Sequence, residues 1–212
     1  MGRQIDDARG QDQDPSPRAP ADRSGGQARR RRSKGMSENS LYQAALFYLG
    51  RYAASSWSVR QVLQRRVTKY AAIDGVEMET AAGWIDGIID RLIRSGLVHD
   101  GDFAMGRVRT LFGRGLSTRM IRLKLAGKGL DRKLIERALD VLMADHRDPD
   151  LEAACRFAQR RRLGPYRPAE VREAHWKRDL AILARAGFSY GIARMVIEVG
   201  DVDDLAALDR GR

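Results

Sequence analysis

The sequence predicts an all-α fold: an elongated tandem array of three three-helix repeats, preceded by a disordered basic tail. Three observations lead to this prediction. Apolar residues recur at helical spacing from about residue 37 to residue 199. No run alternates apolar and polar residues as a half-buried strand would. A short motif, in which a small residue, a bulky apolar residue and a serine precede a helical pattern, occurs three times, which is typical of helical arrays.

Residues 1–36 are predicted to be the disordered basic tail. Asp, Gln, Pro, Gly and Arg dominate this segment, which contains the run RRRRSK at 29–34. Too few apolar side chains are present to offset the entropy lost on ordering. The helical pattern begins directly after Met36, so we also consider that residue as an alternative start of the native chain.

The first repeat is assigned to residues 37–99 and contains three predicted helices. The first covers about 38–54, the second begins after the N-cap Ser58, and the third covers about 78–95. On each helix the inward-facing residues form one apolar stripe. They are Leu41, Ala45, Tyr48, Leu49 and Tyr52 on the first helix, Val62, Leu63 and Val67 on the second, and Ala81, Ile85, Ile88, Ile89 and Leu92 on the third.

The second repeat is assigned to residues 100–146 and opens with a helix at about 102–112. Asp100 and Asp102 are expected to cap that helix, because acids favour helix N-termini. The next helix begins at Ser117 and stops at the Gly-Lys-Gly turn 127–129, and Asp131 then caps the last helix of the repeat, which runs to about residue 143.

The third repeat is assigned to residues 147–200, with a proline-containing bend at 164–168. Its helices are expected at about 149–162, 169–185 and 190–199. Ser189 is the predicted cap of the last one. Residues 201–212 are predicted to be a loose acidic C-terminus.

The three copies of the serine motif are SWSVRQVLQRRV from Ser56, GLSTRMIRLKLA from Gly115 and GFSYGIARMVIE from Gly187. In this alignment the equivalent capping serines are Ser58, Ser117 and Ser189. Each is followed four residues later by an apolar residue, namely Val62, Ile121 and Ala193. The alignment predicts that the third copy lacks its last helix, or nearly all of it.

Four segments of the chain resemble the RecX family, which regulates the bacterial recombinase RecA. These are GLVHDGDFA at 96–104, GRGLS at 113–117 with the Lys and Gly at 128 and 129, RRLGPYR at 161–167, and RAGFS at 185–189. The resemblance covers roughly residues 40–199. The first repeat departs most from the family pattern, and His99 stands where the family usually has an acid. The residues expected to shape these turns and helix ends are Asp100, Phe103, Gly115, Ser117, Gly129, Gly187, Phe188 and Ser189.

The resemblance implies binding along the groove of the RecA–DNA filament. It also implies modulation, usually inhibition, of strand exchange, ATP hydrolysis and co-protease activity.

The sequence contains no set of residues with the spacing typical of a catalytic site. The three histidines, His99, His146 and His175, are scattered, and Cys155 is the only cysteine, so no spacing typical of zinc ligation occurs. The glycines at 113 and 115 lack the preceding strand and the third glycine of a dinucleotide site. We therefore expect no catalytic residue, no metal, no cofactor and no enzymatic activity.

Basic residues supply the candidate partner-binding site. Lys and Arg together number 39 against 28 acids, which gives a formal charge of +11 and favours acidic or polyanionic partners. Arginine suits carboxylates and phosphates because its planar fork binds two oxygens at once. The candidates for contact with RecA or DNA are Arg107, Arg109, Arg114, Arg119, Arg122, Lys124, Lys128, Arg160, Arg161, Arg162 and Arg167.

Two functions remain open. The first, which the resemblance implies, is a protein-binding modulator of the RecA nucleoprotein filament, with weak and non-specific DNA contact. The second is a helix-turn-helix DNA-binding regulator, for which the helices at 117–143 have the right outline. We expect a cytoplasmic monomer without a membrane segment, since a single Cys fits a reducing compartment and no stretch reaches the roughly 20 apolar residues of a span.

Overall fold

The computed structural model describes residues 35–205, and every regular element in this range is helical, which confirms the all-α fold class. The helices are α1 (Glu38–Leu49), α2 (Ser56–Asp74), α3 (Met78–Arg94), α4 (Asp100–Gly113), α5 (Thr118–Ala126), α6 (Arg132–Asp145), α7 (Pro149–Arg161), a 3-10 helix (Gly164–Tyr166), α8 (Ala169–Arg185) and α9 (Tyr190–Glu198). The predicted tail at 1–34 and the C-terminal segment 206–212 lie outside the described residues.

Helix α2 begins three residues earlier than the sequence predicted. Its N-cap is Ser55, whose hydroxyl accepts a hydrogen bond from the backbone N–H of Ser58 at 3.2 Å. The residue four positions after the cap is therefore Val59, which is fully buried, whereas Val62 is only half-buried. Either serine can cap a helix, and contacts with the following helices select Ser55.

Helices α1 and α4 also differ from their predicted bounds. Gly50 follows the last residue of α1, so Tyr52 is 57% exposed instead of facing inward. The N-cap of α4 is His99, whose Nδ1 accepts from the backbone N–H of Asp102 at 3.2 Å. Asp100 is the first helical residue, and its carboxylate bonds outside its own helix.

The helices form three sets of three, in line with the predicted three-helix repeats. The first set, α1–α3, encloses its own apolar cluster around residues such as Leu63 and Ile88. The second set, α4–α6, and the third set, α7–α9, share a second cluster that includes buried Phe188 and has Phe103 packed against it. Within the segment expected to be loose, residues 202–205 are helical and Leu205 is buried in this second cluster.

The structure changes the register of the internal repeat. Helices α2, α5 and α8 are the second members of their sets, and α3, α6 and α9 are the third members. Ser189 precedes α9, so it corresponds to Asp131 before α6 and not to Ser117 before α5. The prediction that the last copy lacks a helix is therefore wrong.

In each of the first two sets, the first residue of the second helix donates hydrogen bonds to a carboxylate of the following set. Ser56 donates to Asp100 from its backbone N–H at 2.7 Å and from its hydroxyl at 2.6 Å. Thr118 makes the same two bonds to Asp150, at 2.7 and 3.0 Å. The first N–H groups of a helix have no partner inside it and form its positive end, so a carboxylate there is stabilising. We call these two contacts the acid joints.

The two cap serines reinforce the acid joints. Ser55 donates its hydroxyl to the carbonyl of Lys128, and Ser117 donates to the carbonyl of Ala186, both at 2.9 Å. Both serines are completely buried, so the hydroxyl of each needs a partner inside the protein. Each bond again joins one set of helices to the next.

Glycines with left-handed backbone allow these sets to approach closely. Gly129 has φ +67° and faces Trp57, while Gly187 has φ +88° and faces the hydroxyl of Ser117. A Cβ on Gly187 would lie 2.7 Å from that oxygen, which is closer than van der Waals contact allows. These positions therefore require glycine for space as well as for backbone conformation.

A buried ion pair fastens the bend between α7 and α8. Asp179 is 1% exposed and accepts two bonds from the guanidinium of Arg167, at 2.6 and 2.7 Å, and one from the backbone N–H of Gly164 at 3.0 Å. Burial raises the pKa of Asp179, but the bonds from Arg167 and Gly164 and the positive charges nearby outweigh it, and the pKa lies below its ordinary 3.8.

Replacing Gly115 with alanine should destabilise the protein more than replacing Gly96. Both have nearly the same backbone, with φ +68° and +71°, so the cost of about 1–2 kcal/mol for a left-handed alanine is common to both. The added Cβ at Gly115 would lie 2.9 Å from the carbonyl oxygen of Ala153, whereas Gly96 has open space. Overpacking should therefore lower the unfolding free energy of the Gly115→Ala variant by about a further 1–3 kcal/mol. Urea denaturation followed by circular dichroism measures this difference. Equal losses would show that the approach of α7 to Gly115 is not tight.

The Asp179→Asn variant tests the buried pair through pH. A carboxyl whose pKa is lower in the folded chain stabilises it above the unfolded pKa, and this contribution is lost as pH falls through the folded pKa. The variant should therefore lose about 3–5 kcal/mol of unfolding free energy at pH 7, and the difference from wild type should shrink below pH 3.8. The exposed Asp140→Asn change is the control. A constant difference from pH 7 to pH 3 would contradict the assignment.

Candidate functional site

The basic residues predicted on α4 lie on different sides of that helix. Arg107 lines a cleft of about 420 Å³ at the boundary of the first and second sets, together with Lys128, Phe103, Tyr48 and Tyr52. The structure therefore places two of the predicted cations beside three aromatic rings. The two tyrosine rings lie 5.2 Å apart between centroids.

Arg109 lines a separate cleft of about 360 Å³ between α4, α6 and the start of the third set. There His146 is bonded to Glu152 at 3.0 Å, and Arg156 is bonded to the same carboxylate at 2.8 Å. The guanidinium of Arg156 also lies 4.4 Å from the ring centre of Phe112. This network joins the second set to the third, and the structure does not bring Arg109 together with Arg107.

Helix α5 carries exposed cations and one paired arginine. Arg119 and Lys124 are exposed and form no ion pair with any residue in the range 35–205. Arg122 instead donates from two guanidinium nitrogens to the carboxylate of Glu136 on α6, at 3.0 Å each. This hydrogen bonding lowers the pKa of the Glu136 carboxyl. The charge of Arg122 is therefore balanced within the chain.

The basic run at the end of α7 does not form one patch. Arg160 donates to the backbone carbonyl of Arg114, and both residues are exposed at the boundary of the second and third sets. Arg161 covers the ring of Phe157, with its guanidinium carbon 5.8 Å from the ring centre. Arg162 ends the helix in the left-handed conformation, with φ +53°, and is exposed.

A third cleft, of about 510 Å³, lies between α7 and α8. Arginine and apolar residues line it, and they are Phe157, Arg161, Leu163, Arg167, Arg178, Ile182, Arg185 and Ala186. Sequence reasoning included Arg161 and Arg167 but missed Arg178 and Arg185. Their spacing with Ile182, at positions i, i+4 and i+7 of one helix, was a signal that would have placed all three on one face.

Two kinds of feature are absent from the part of the chain that the structure describes. No group of three or more His, Cys, Asp or Glu residues is placed to hold a metal ion. No helix there is both long and apolar enough to cross a bilayer.

Comparisons with known proteins agree with the helical arrangement. Residues 100–139 match the family model described as RecX, second three-helix domain. A protein named regulatory protein RecX from Myxococcus xanthus is 40% identical over 169 residues, which is 79% of this chain and 89% of the relative. A protein of the same name from Thermobifida fusca is 34% identical over 53% of this chain and 59% of its own length.

Solved structures show the same fold. The crystal structure of RecX from Lactobacillus salivarius superposes with a TM-score of 0.53 at 25% identity, and the match covers 76% of this chain and 94% of that one. A second crystal structure of regulatory protein RecX gives the same TM-score at 22% identity and covers 75% of this chain and 70% of that one. With the coverage and identity of the Myxococcus relative, these findings show that the chain belongs to the RecX family of regulatory proteins.

Proposed function

We propose that this chain binds the RecA–DNA filament and inhibits the recombinase, ATPase and co-protease activities of RecA. Family membership supports a regulatory role. The observation that carries the proposal is that nine of the predicted cations have no acidic partner among residues 35–205: Arg107, Arg109, Arg114, Arg119, Lys124, Lys128, Arg160, Arg161 and Arg162. Such side chains remain available for carboxylates of a protein and phosphates of DNA.

The proposed contact set omits two of the predicted arginines. Arg122 and Arg167 each donate two hydrogen bonds from the guanidinium group to a carboxylate of the same chain. Releasing either one to a partner would leave a carboxylate without its ion pair, which is costly where the group is buried. We also propose domain boundaries at 37–99, 100–146 and 147–200, a cytoplasmic location and a monomeric state.

The alternative of a helix-turn-helix DNA reader has weaker support. Its recognition helix would be α6, on which Glu136 is tied to Arg122 and Asp140 is exposed beside Arg137. A helix face with charges of both signs is poorly suited to a groove lined with phosphates. We therefore expect any DNA contact of this chain to be weak, non-specific and strongly reduced by salt.

The direct test measures RecA ATPase on single-stranded DNA with sub-stoichiometric amounts of this protein. Wild type should inhibit ATPase, strand exchange and co-protease cleavage. The double change Arg119→Glu with Lys124→Glu on α5 should raise the inhibitory concentration about tenfold, because it places like charges against the acidic partner.

The matched control changes Lys133→Glu with Arg137→Glu on α6, which alters the net charge by the same amount at two other exposed residues. This control should inhibit nearly as well as wild type. If wild type left all three RecA activities unchanged, the proposed function would be wrong. If both double variants lost inhibition equally, α5 would not be part of the contact.

A further inference from the structure

The cleft between α7 and α8 combines an apolar floor with an arginine rim. Its floor includes Leu163, which is 2% exposed, together with half-buried Phe157 and Ile182. Its rim carries Arg178 and Arg185 from α8, and Arg161 from α7 adds a third cation to the opposite wall. With a volume of about 510 Å³, the cleft has room for apolar side chains of a partner.

The charge of this cleft is not balanced within the described chain. Arg167 is the only lining arginine with an acid partner there, because it holds both oxygens of Asp179. Arg161, Arg178 and Arg185 are exposed and form no ion pair with another residue in the range 35–205. Three unbalanced guanidinium groups around one cleft attract a negatively charged ligand.

The spacing of the rim residues matches that of side chains on one face of a second helix. Arg178, Ile182 and Arg185 occupy positions i, i+4 and i+7 of α8, so they share one face. The two arginines are separated along that helix by about 10 Å, from a rise of about 1.5 Å per residue. Two acids seven residues apart on a second helix have the same separation, and an apolar residue between them would meet Ile182.

The aromatic ring in the floor is poorly placed for a nucleobase. Phe157 packs edge-on against Phe188 with 5.8 Å between ring centres, and Arg161 lies over its ring. A base needs an open aromatic face on which to stack. The apolar floor and this covered ring therefore favour an apolar side chain of a protein as the occupant.

We propose that the cleft between α7 and α8 binds an acidic amphipathic helix of a protein partner. Two carboxylates seven residues apart bind Arg178 and Arg185, and an apolar side chain between them packs on Ile182. This mode is the insertion of a helix into a groove. The inference rests on the proposed function and gives a chemical description to one segment of the partner.

The test uses the full chain and a fluorescein-labelled, alanine-based helical peptide that carries two glutamates seven residues apart and a leucine four residues after the first. Fluorescence anisotropy should show that this peptide binds wild type about tenfold more tightly than a version with two glutamines, because two ion pairs are lost. Arg178→Glu with Arg185→Glu should abolish this preference, and that variant should instead prefer a peptide with two lysines. The control Lys133→Glu with Arg137→Glu should keep the preference for glutamate.

Several outcomes would overturn the inference. One is equal affinity of wild type for the glutamate and glutamine peptides. Another is a charge reversal at Arg178 and Arg185 that weakens binding of labelled oligo-dT while leaving the peptide unaffected, since the cleft would then bind nucleic acid. A third is a concentration-dependent dimer that this charge reversal abolishes, since the occupant would then be a second copy.

The RecA assay separates this inference from the proposed function. If wild type inhibits RecA ATPase but shows no preference for the acidic peptide, the inference is wrong and the proposed function stands. If the peptide preference follows the charges as expected but wild type leaves RecA unaffected, the proposed function is wrong and the acidic-helix site stands.

Discussion

The acid joints are the interaction on which the arrangement of the helices depends. In each joint, one carboxylate accepts a backbone N–H and a hydroxyl at the start of a helix from the preceding set. The carboxylate satisfies N–H groups that no helix can pair internally, and it lies at the positive end of the helix dipole. The first joint, through Asp100, is especially important, because α1–α3 have an apolar cluster separate from that of α4–α9.

Other hydrogen bonds at the same two boundaries position cations of the candidate interface. The carbonyl of Lys128 accepts the hydroxyl of Ser55, and the residue lines the cleft that also contains Arg107. At the next boundary Arg160 is bonded to the carbonyl of Arg114. Residues on different repeats therefore hold fixed positions relative to one another. For the filament binding that we propose, such preorganisation is favourable, because less conformational freedom is lost on binding.

Local signals in the sequence were sufficient for the helices but not for the contacts between them. Caps and apolar stripes predicted nine helices within a few residues, since both depend on neighbours in the chain. The start of α2 was misplaced because Ser55 and Ser58 are equally good caps, and only Asp100 and Lys128, which are distant in sequence, distinguish them. Likewise no local pattern shows that Arg167 is paired to Asp179 while Arg178 forms no ion pair within residues 35–205.

Hydrogen-exchange mass spectrometry of the Asp100→Ala variant measures how firmly the first acid joint holds α1–α3 to the second set. We expect α1–α3 to exchange about tenfold faster than in wild type, because a charge-assisted bond worth about 1.5–3 kcal/mol is lost. The matched change Asp102→Ala removes an exposed carboxylate from the same helical turn and should have little effect on that region. Equal exchange of α1–α3 in the two variants would show that the Asp100 joint contributes nothing beyond an ordinary acid at a helix start, and that it does not hold the first set in place.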